Sequence, residues 1–390
     1  MPKANKDVKR NVLPHSEAKL ALFKNYLEHY LRVLSLAAFC TRINLYDIFC
    51  GTGIYEDGNI GSPLIARECI KDVHSLMKTL GRPLKPILFT VNDFKEDKVA
   101  NVRTLLDQKK LPLCTYNYFN ENADTMLDIV AKEVNLFPSS QRNLVFIDPY
   151  GYSQIHKEKI YGILKNECSE LILFLPIMQM YRFTDPALTY TEKKCYENLR
   201  NFISSFFPLN HKIHSGSIED VFEYINAVKE ALSFEGKFYT SSHYIEREKG
   251  NYYALFFITS SIYGLEKMLE AKWKMDPVKG KGFDQKKRAS QIALFQEEFD
   301  ENDRRKGLEY LARIILEELN ASGSLTNNDI YKLSLLHEFR PTHAYIVLRQ
   351  LLKKDIKARY PNGGNTEGGT GFGINYENYK NNIVKIIFYK

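Results

Sequence analysis

The sequence is poor in everything that would mark a secreted, membrane-bound or metal-stapled protein. No apolar run approaches the roughly 20 residues that a membrane-crossing helix needs, and Met1 to Val12 is basic and polar with no apolar signal core. A cytoplasmic protein with no membrane association is therefore expected. Cysteine is sparse: six residues (Cys40, Cys50, Cys69, Cys114, Cys168 and Cys195) are scattered with no C-x-x-C pair and no histidine at zinc-finger spacing. They read as reduced, mostly buried thiols, and no metal site is expected. The nine histidines form no metal-spaced cluster. There is no G-x-S-x-G and no G-x-x-x-x-G-K-[ST], so neither serine-hydrolase nor phosphate-loop chemistry is supported.

What is present is ample material for a core. Of 390 residues, 44% are hydrophobic, with 25 Tyr and 24 Phe, enough for a large domain and a smaller one. The net charge of +7 is compatible with nucleic acid without requiring it. From Ser16 to Ala38 apolar residues recur at helical spacing (Leu20, Phe23, Leu27, Tyr30, Leu31, Leu34), which predicts an amphipathic lead-in helix. Five short apolar runs then alternate with helical patterns: Ile43 to Phe49, Ile87 to Val91, Leu113 to Tyr118, Leu144 to Ile147 and Leu171 to Leu175. This alternation predicts a parallel, doubly wound sheet. Helical stretches from Thr191 and Ile218 follow, then two strand-like runs, Lys237 to Ile245 and Tyr252 to Ser260, joined by a short connector with Gly250.

Five parallel strands closed by an antiparallel pair is the layout of a class I S-adenosylmethionine (SAM) methyltransferase. The expected fold is accordingly α/β, a Rossmann-like seven-stranded sheet with a C-terminal winged-helix-like domain. The divisions expected are a lead-in helix over 1–40, the Rossmann-like domain over 41–270, a basic linker over 271–302 and the winged-helix-like domain over 303–390. Thr326 with Asp329 fits a capping box at one helix start of that last domain.

The chemistry-bearing stretch begins at Leu45-Tyr46-Asp47-Ile48-Phe49-Cys50-Gly51-Thr52-Gly53. Gly51 and Gly53 after a first strand let the backbone approach a cofactor, and Asp47 can orient that loop or meet the cofactor's amino group; the same pattern also suits a plain turn. Residues 54–60 intervene before Gly61-Ser62-Pro63, where Ser62 can cap a helix, and they read as a surface excursion or a lid. Asp93, with Asn92 beside it, ends the second strand where an acidic residue accepts from ribose hydroxyls. Asn120 follows the third strand and falls by topology at the adenine edge. The fourth strand ends in Ile147-Asp148-Pro149-Tyr150, similar to the Asp-Pro-Pro-Tyr element of amino-methyltransferases. There the carboxylate accepts from a target NH2 while the ring stacks on a flat substrate, although Tyr150 stands at the second proline and a structural turn explains the same residues. Asp148 and Tyr150 are the catalytic candidates, with the Cys50 turn and Asp148 expected to flank one hollow.

The run Tyr46 to Gly58 with Gly61-Ser62-Pro63-Leu64-Ile65-Ala66, the lead-in residues His15 to Tyr26, Phe146 to Gly151, and Tyr253-Ala254-Leu255-Phe256 leading to Gly264 to Met268 together resemble the bacterial three-Cys-motif partner protein family. That resemblance, over roughly residues 15 to 285, implies a methyltransferase-like fold and a partner protein with three cysteines, of radical-SAM type. The reading that follows is a SAM-dependent methyltransferase-like protein acting on or bound to nucleic acid together with a partner. SAM would lie against Asp47, Gly51, Gly53, Asn92, Asp93 and Asn120. Phosphates would meet Lys279, Lys281, Lys286, Lys287, Arg288, Arg349 and Lys353. A non-catalytic adaptor docking that partner and a nicotinamide oxidoreductase are the alternatives.

Overall fold

Strand β1 (Arg42–Asp47) lies between β2 (Ile87–Asn92) and β4 (Gln141–Ile147), and the sheet grows outward from it in the order β3-β2-β1-β4-β5-β7-β6-β8. Here β3 is Cys114–Phe119, β5 Ser169–Leu175, β6 Tyr239–Glu248, β7 Asn251–Thr259 and β8 Gly282–Phe283. The structure, a computed structural model, describes residues 14–248, 250–283, 296–363 and 371–390. The first five strands run parallel, and β7 enters antiparallel between β5 and β6. This is the expected methyltransferase-type Rossmann-like sheet, with eight strands in place of seven. The addition is β8, whose two residues are too short to carry a periodic signal.

Every residue of β2 and β5 is buried, as a parallel sheet covered on both faces requires. On one face α1 (Pro14–Leu36), α2 (Ser62–Thr79) and α3 (Glu96–Asp107) are laid down; Phe23 of α1 stacks on Phe146 at 4.4 Å and Tyr26 meets Phe257 at 4.7 Å. The other face is covered by α4 (Ala123–Leu136), α5 (Lys157–Leu164), α6 (Ile177–Thr189), α7 (Glu197–Phe206) and α8 (Val221–Ala231), which share one core with Tyr46, Val145 and Leu173 of the strands. Alternation along the strands divides their side chains between the two cores.

Helix α6 is an addition to the sequence reading, which set no element between the run Leu171 to Leu175 and the helical stretch from Thr191. Pro186 stands near its C-terminal end, and the buried Ile177, Met180, Thr184 and Ala187 recur at helical spacing. The β6–β7 connection is tighter than its expected six residues: β6 continues through Glu248 with a bulge between Glu246 and Glu248, and Gly250 turns the chain at φ +77°.

The chain divides into two compact units, Met1–Gly264 with Phe283–Lys286 and Leu265–Gly282 with Lys287–Lys390; helix α9 (Ile262–Met275) crosses the division. The second unit also holds α10 (Gln296–Ser322), β9 (Ser324–Thr326), α11 (Asn327–Leu336), α12 (Pro341–Leu351), β10 (Lys357–Arg359), α13 (Tyr376–Lys380) and β11 (Ile387–Tyr389). Its three short strands pair antiparallel in the order β10-β11-β9. Leu311, Ile315, Val347, Leu348 and Phe388 fill its core. The Thr326–Asp329 capping box opens α11, with the Thr326 N–H donating to Asp329 Oδ2 at 2.8 Å. The stretch expected as a basic linker is helical at both ends, and within it Lys272 is buried, paired with Glu338 at 3.1 Å. No described helix is long and apolar enough to cross a membrane.

Candidate functional site

Parallel register fixes which residues meet at the carboxyl ends of the strands. Asp47 is level with Phe146 of β4 and Val91 of β2, so Asp148 and Asp93, each two residues further on, flank the turn that leaves β1. This is also where strand order reverses, β2 and β3 lying to one side of β1 and β4 and β5 to the other. Crevices that hold ligands form at such switch points. All eight residues singled out in this half of the sequence gather here: Asp47, Gly51, Gly53, Asn92, Asp93, Asn120, Asp148 and Tyr150.

Asp47 is buried. Its Oδ2 accepts from the Ser62 hydroxyl at 2.6 Å, while Oδ1 has no hydrogen-bond partner. Burial pushes its carboxyl up to about 7 against the opposing help of the Ser62 hydroxyl and the Phe49 backbone N–H, and the charges of Asp148 and Asp93 push the same way as burial. Ser62 was expected to cap α2. The cap is instead Gly61, with Pro63 in the first turn, and the serine hydroxyl is spent on Asp47.

The β1–α2 loop is tied down at both ends. Cys50 N–H donates to Asn92 O at 2.8 Å, and Gly61 N–H to Gly53 O at 2.8 Å, closing residues 54–60 into a small excursion bridged between Ile54 and Ile60. Gly51 and Gly53 both have positive φ, +62° and +77°, but differ in surroundings. A Cβ on Gly51 would meet nothing within 4 Å; one on Gly53 would stand 3.1 Å from Val102 and 3.2 Å from Leu105. Gly51 therefore offers backbone to open space, and Gly53 packs against α3.

Asp93 accepts from the backbone N–H of Gly51 (3.2 Å) and Lys95 (3.0 Å) and from Lys98 Nζ (3.2 Å). Three bonds leave one of about four carboxylate lone-pair positions unused. Asn92 is wholly engaged: its Nδ2 donates to Ile48 O and Glu121 O, and its Oδ1 accepts from Glu121 N–H at 2.9 Å. An amide with both donor and acceptor is what clamping two loops requires. Asn120 donates to the carbonyls of Asp93 and Phe94, both at 2.9 Å, tying the β3 loop to the β2 loop.

Across the β1 turn, Asp148 is ion-paired with Lys19 of α1, whose ammonium also lies 4.9 Å from the Phe174 ring centre. Burial works against the Lys19 charge, but Asp148, Tyr55 and Asp47 outweigh it and hold the ammonium above its ordinary value. Tyr55, from the excursion, is pushed up by burial and by Asp148, with Lys19 opposing. Tyr150 is two-thirds exposed (66%), its hydroxyl accepting from Lys98 and its ring 4.8 Å from the same ammonium. Lys98 thus joins Asp93 to Tyr150, and Lys19 holds Asp148. Among the described residues no three His, Cys, Asp or Glu group as metal ligands.

Lys19 and Lys98 were not anticipated from sequence, though each carried a signal. Lys19 stands four residues before Phe23, and Lys98 four before Val102, so both lie on the buried stripe of their helices. A lysine on an apolar stripe is buried unpaired only at great cost, and its position demands an acidic partner.

The basic residues of the sequence reading lie elsewhere. Lys279 is paired with Asp303 at 2.8 Å, and Lys281, whose N–H donates to Asp276, is exposed. Arg349 is exposed on α12 with its guanidinium 5.7 Å from the Tyr345 ring centre, and Lys353 is exposed just past that helix. Lys286, Lys287 and Arg288 fall outside the described residues.

No protein-family model and no curated protein matches the chain. Among solved structures, Trm1 from Pyrococcus horikoshii in complex with S-adenosyl-L-methionine is similar at 13% identity, covering 84% of this chain and 90% of that one, with a TM-score of 0.33. Loganic acid methyltransferase with SAH is similar at 11% identity, covering 65% and 99%, TM-score 0.28. The CMeT domain of the citrinin polyketide synthase is similar at 13% identity, covering 57% and 47%, TM-score 0.25. Likenesses this distant add nothing to the strand order, which by itself defines the sheet.

Proposed function

We propose that this chain is a SAM-dependent methyltransferase-like protein whose cofactor and acceptor sites lie at the carboxyl ends of β1, β2 and β4. The observation that carries the reading is the convergence of Asp47, Asp93 and Asp148 at the switch point of a methyltransferase-type sheet. Three features of this structure fit an adenosyl cofactor there. Gly51 presents bare backbone to open space. Asp47 keeps a buried oxygen with no partner. Asp93 retains a lone pair in the position from which ribose hydroxyls are held.

When bound, SAM supplies an electrophilic methyl group on a sulfonium. The chain's own part is to place the acceptor. Asp148 accepts an N–H of an amino or amide group and directs its lone pair, and Tyr150 offers an exposed ring face to a planar substrate.

The second unit supports a nucleic-acid acceptor. Its helices and three-stranded sheet suit a winged-helix-like module, and Arg349 and Lys353 are exposed cations at the end of α12. The resemblance to three-Cys-motif partner proteins adds a protein of radical-SAM type as partner. A second reading, a non-catalytic adaptor, is favoured by one observation: Asp148 and Asp93 are already paired by Lys19 and Lys98.

Calorimetry with SAM, with NAD as the control, separates cofactor classes. Methyl transfer from labelled SAM to DNA, RNA and the partner separates enzyme from adaptor. Asp148→Ala is expected to lower transfer by on the order of a hundredfold or more while SAM affinity is kept. Full transfer by that variant removes Asp148 from the mechanism, and absent SAM binding by the native chain removes the cofactor.

A further inference from the structure

Lys19 is out of place for a residue of a lead-in helix. Its neighbours on the buried stripe of α1, Leu22, Phe23 and Tyr26, pack the sheet, while its four-carbon stem carries a charge to the far side of the β1 turn. There the ammonium donates to Asp148, faces the Phe174 ring at 4.9 Å and feels Tyr55 and Asp47. A carboxylate and an aromatic face around one buried cation form a subsite for N–H donors carrying positive charge.

We propose that Lys19 is a positioning residue that fills the acceptor subsite as an internal amine, so that the site takes an N–H-rich nitrogen which must displace Lys19 from Asp148 and which, if it arrives protonated, must give up that proton before its lone pair can accept the methyl group. The proposal rests on the methyltransferase reading above. It adds that the pairing seen at Asp148 is a closed state of a working subsite. Three consequences follow from the geometry. The carboxylate is held in place by Lys19 before the acceptor arrives. Neutral ligands that cannot donate to Asp148 leave Lys19 in place. Any cation placed beside Asp148 competes with Lys19.

The probe is a pair of adenosyl ligands: S-adenosylhomocysteine, with no group at the methyl position, and sinefungin, in which an amine-bearing carbon replaces the sulfonium. Removing the Lys19 charge while keeping its stem, in Lys19→Met, leaves Asp148 without its cation. The preference for sinefungin over S-adenosylhomocysteine, read by calorimetry, is expected to rise about tenfold or more. Lys19→Arg, which keeps the charge, should retain the native ratio, and adding Asp148→Asn to Lys19→Met should abolish the gain. In the native protein, amine acylation followed by peptide mass spectrometry is expected to label Lys19 far more slowly than the half-exposed Lys24. Saturating sinefungin should speed that labelling, and S-adenosylhomocysteine should not.

If both ligands bind every variant with one unchanged ratio, and sinefungin leaves Lys19 labelling as it was, Lys19 is a structural pair and the proposal is overturned while the cofactor reading stands. If neither ligand binds the native chain, the cofactor reading falls and takes the proposal with it. Should Lys19→Met fail to fold, the labelling of the native protein still decides.

Discussion

Two buried carboxylates stand two strands apart in the same sheet, and both are pushed up to about 7 by burial. Glu170, at the start of β5, accepts from Tyr26 of α1 through one oxygen and from Thr259 of β7 at 2.8 Å through the other. Asp47, at the end of β1, has one oxygen bonded and one without a partner. The same helix serves both places: Lys19 and Tyr26 are two turns apart on α1, about 10 Å along its axis, the first reaching Asp148 beside Asp47 and the second Glu170. Burial raises both carboxyls, yet their hydrogen bonding differs. A fully satisfied buried carboxyl is a lock between elements, whereas a half-satisfied one is where binding capacity is held in reserve.

The comparison breaks most visibly if each carboxylate is deleted. Glu170→Ala orphans two buried hydroxyls and opens a void, so unfolding in urea should show a loss of about 2–4 kcal/mol. Asp47→Asn keeps an acceptor for Ser62 and removes a charge that burial penalises, so its stability should move by less than about 1 kcal/mol, while adenosyl-ligand affinity falls. Equal losses in the two variants would mean that Asp47 is as structural as Glu170.

A smaller effect lies in pH. Because burial raises Glu170 from 4.5 to about 7, the folded chain keeps a proton between those values that the unfolded chain has released. The native state is therefore penalised as pH rises through that window, and the contribution is on the order of 1 kcal/mol per pH unit. Asp47 acts with the same sign between 3.8 and about 7. Chemical denaturation at pH 5 and pH 7.5 should show Glu170→Gln less sensitive to pH than the native chain. An identical dependence in both would place the Glu170 carboxyl near its ordinary value.

Much of this was legible in the sequence because it depends on local pattern. The five parallel strands follow from apolar runs alternating with helical periodicity, and the Gly51 turn and Asp148 follow from what stands at strand ends. What resisted reading depends on long-range pairing. Lys19 and Asp148 are 129 residues apart, Tyr26 and Glu170 144. No local propensity links them, and only the misplacement of a lysine on an apolar stripe hinted that a partner existed. Helix α6 follows β5 at once, and burial of Ile177, Met180 and Ala187 keeps it helical although Pro186 lies inside it. Strand β8 is too short for any period to show.

The finest test uses the two glycines of the β1–α2 turn. Both hold left-handed backbone, so an alanine at either costs roughly 1–2 kcal/mol in strain. At Gly53 the added methyl also presses on Val102 and Leu105 at 3.1 and 3.2 Å, two side chains of a packed helix. At Gly51 it meets nothing. Gly53→Ala should consequently lower the melting temperature more than Gly51→Ala does. Ligand affinity should reverse the order, because only at Gly51 does the new methyl project into space that an adenosyl group would fill. Thermal melts of the two variants with and without S-adenosylhomocysteine give both orders at once: a ligand-induced stabilisation kept in Gly53→Ala and lost in Gly51→Ala places the cofactor over the β1 turn. The same stabilisation kept in both variants places it elsewhere, and leaves the open face of Gly51 as a feature of the turn alone.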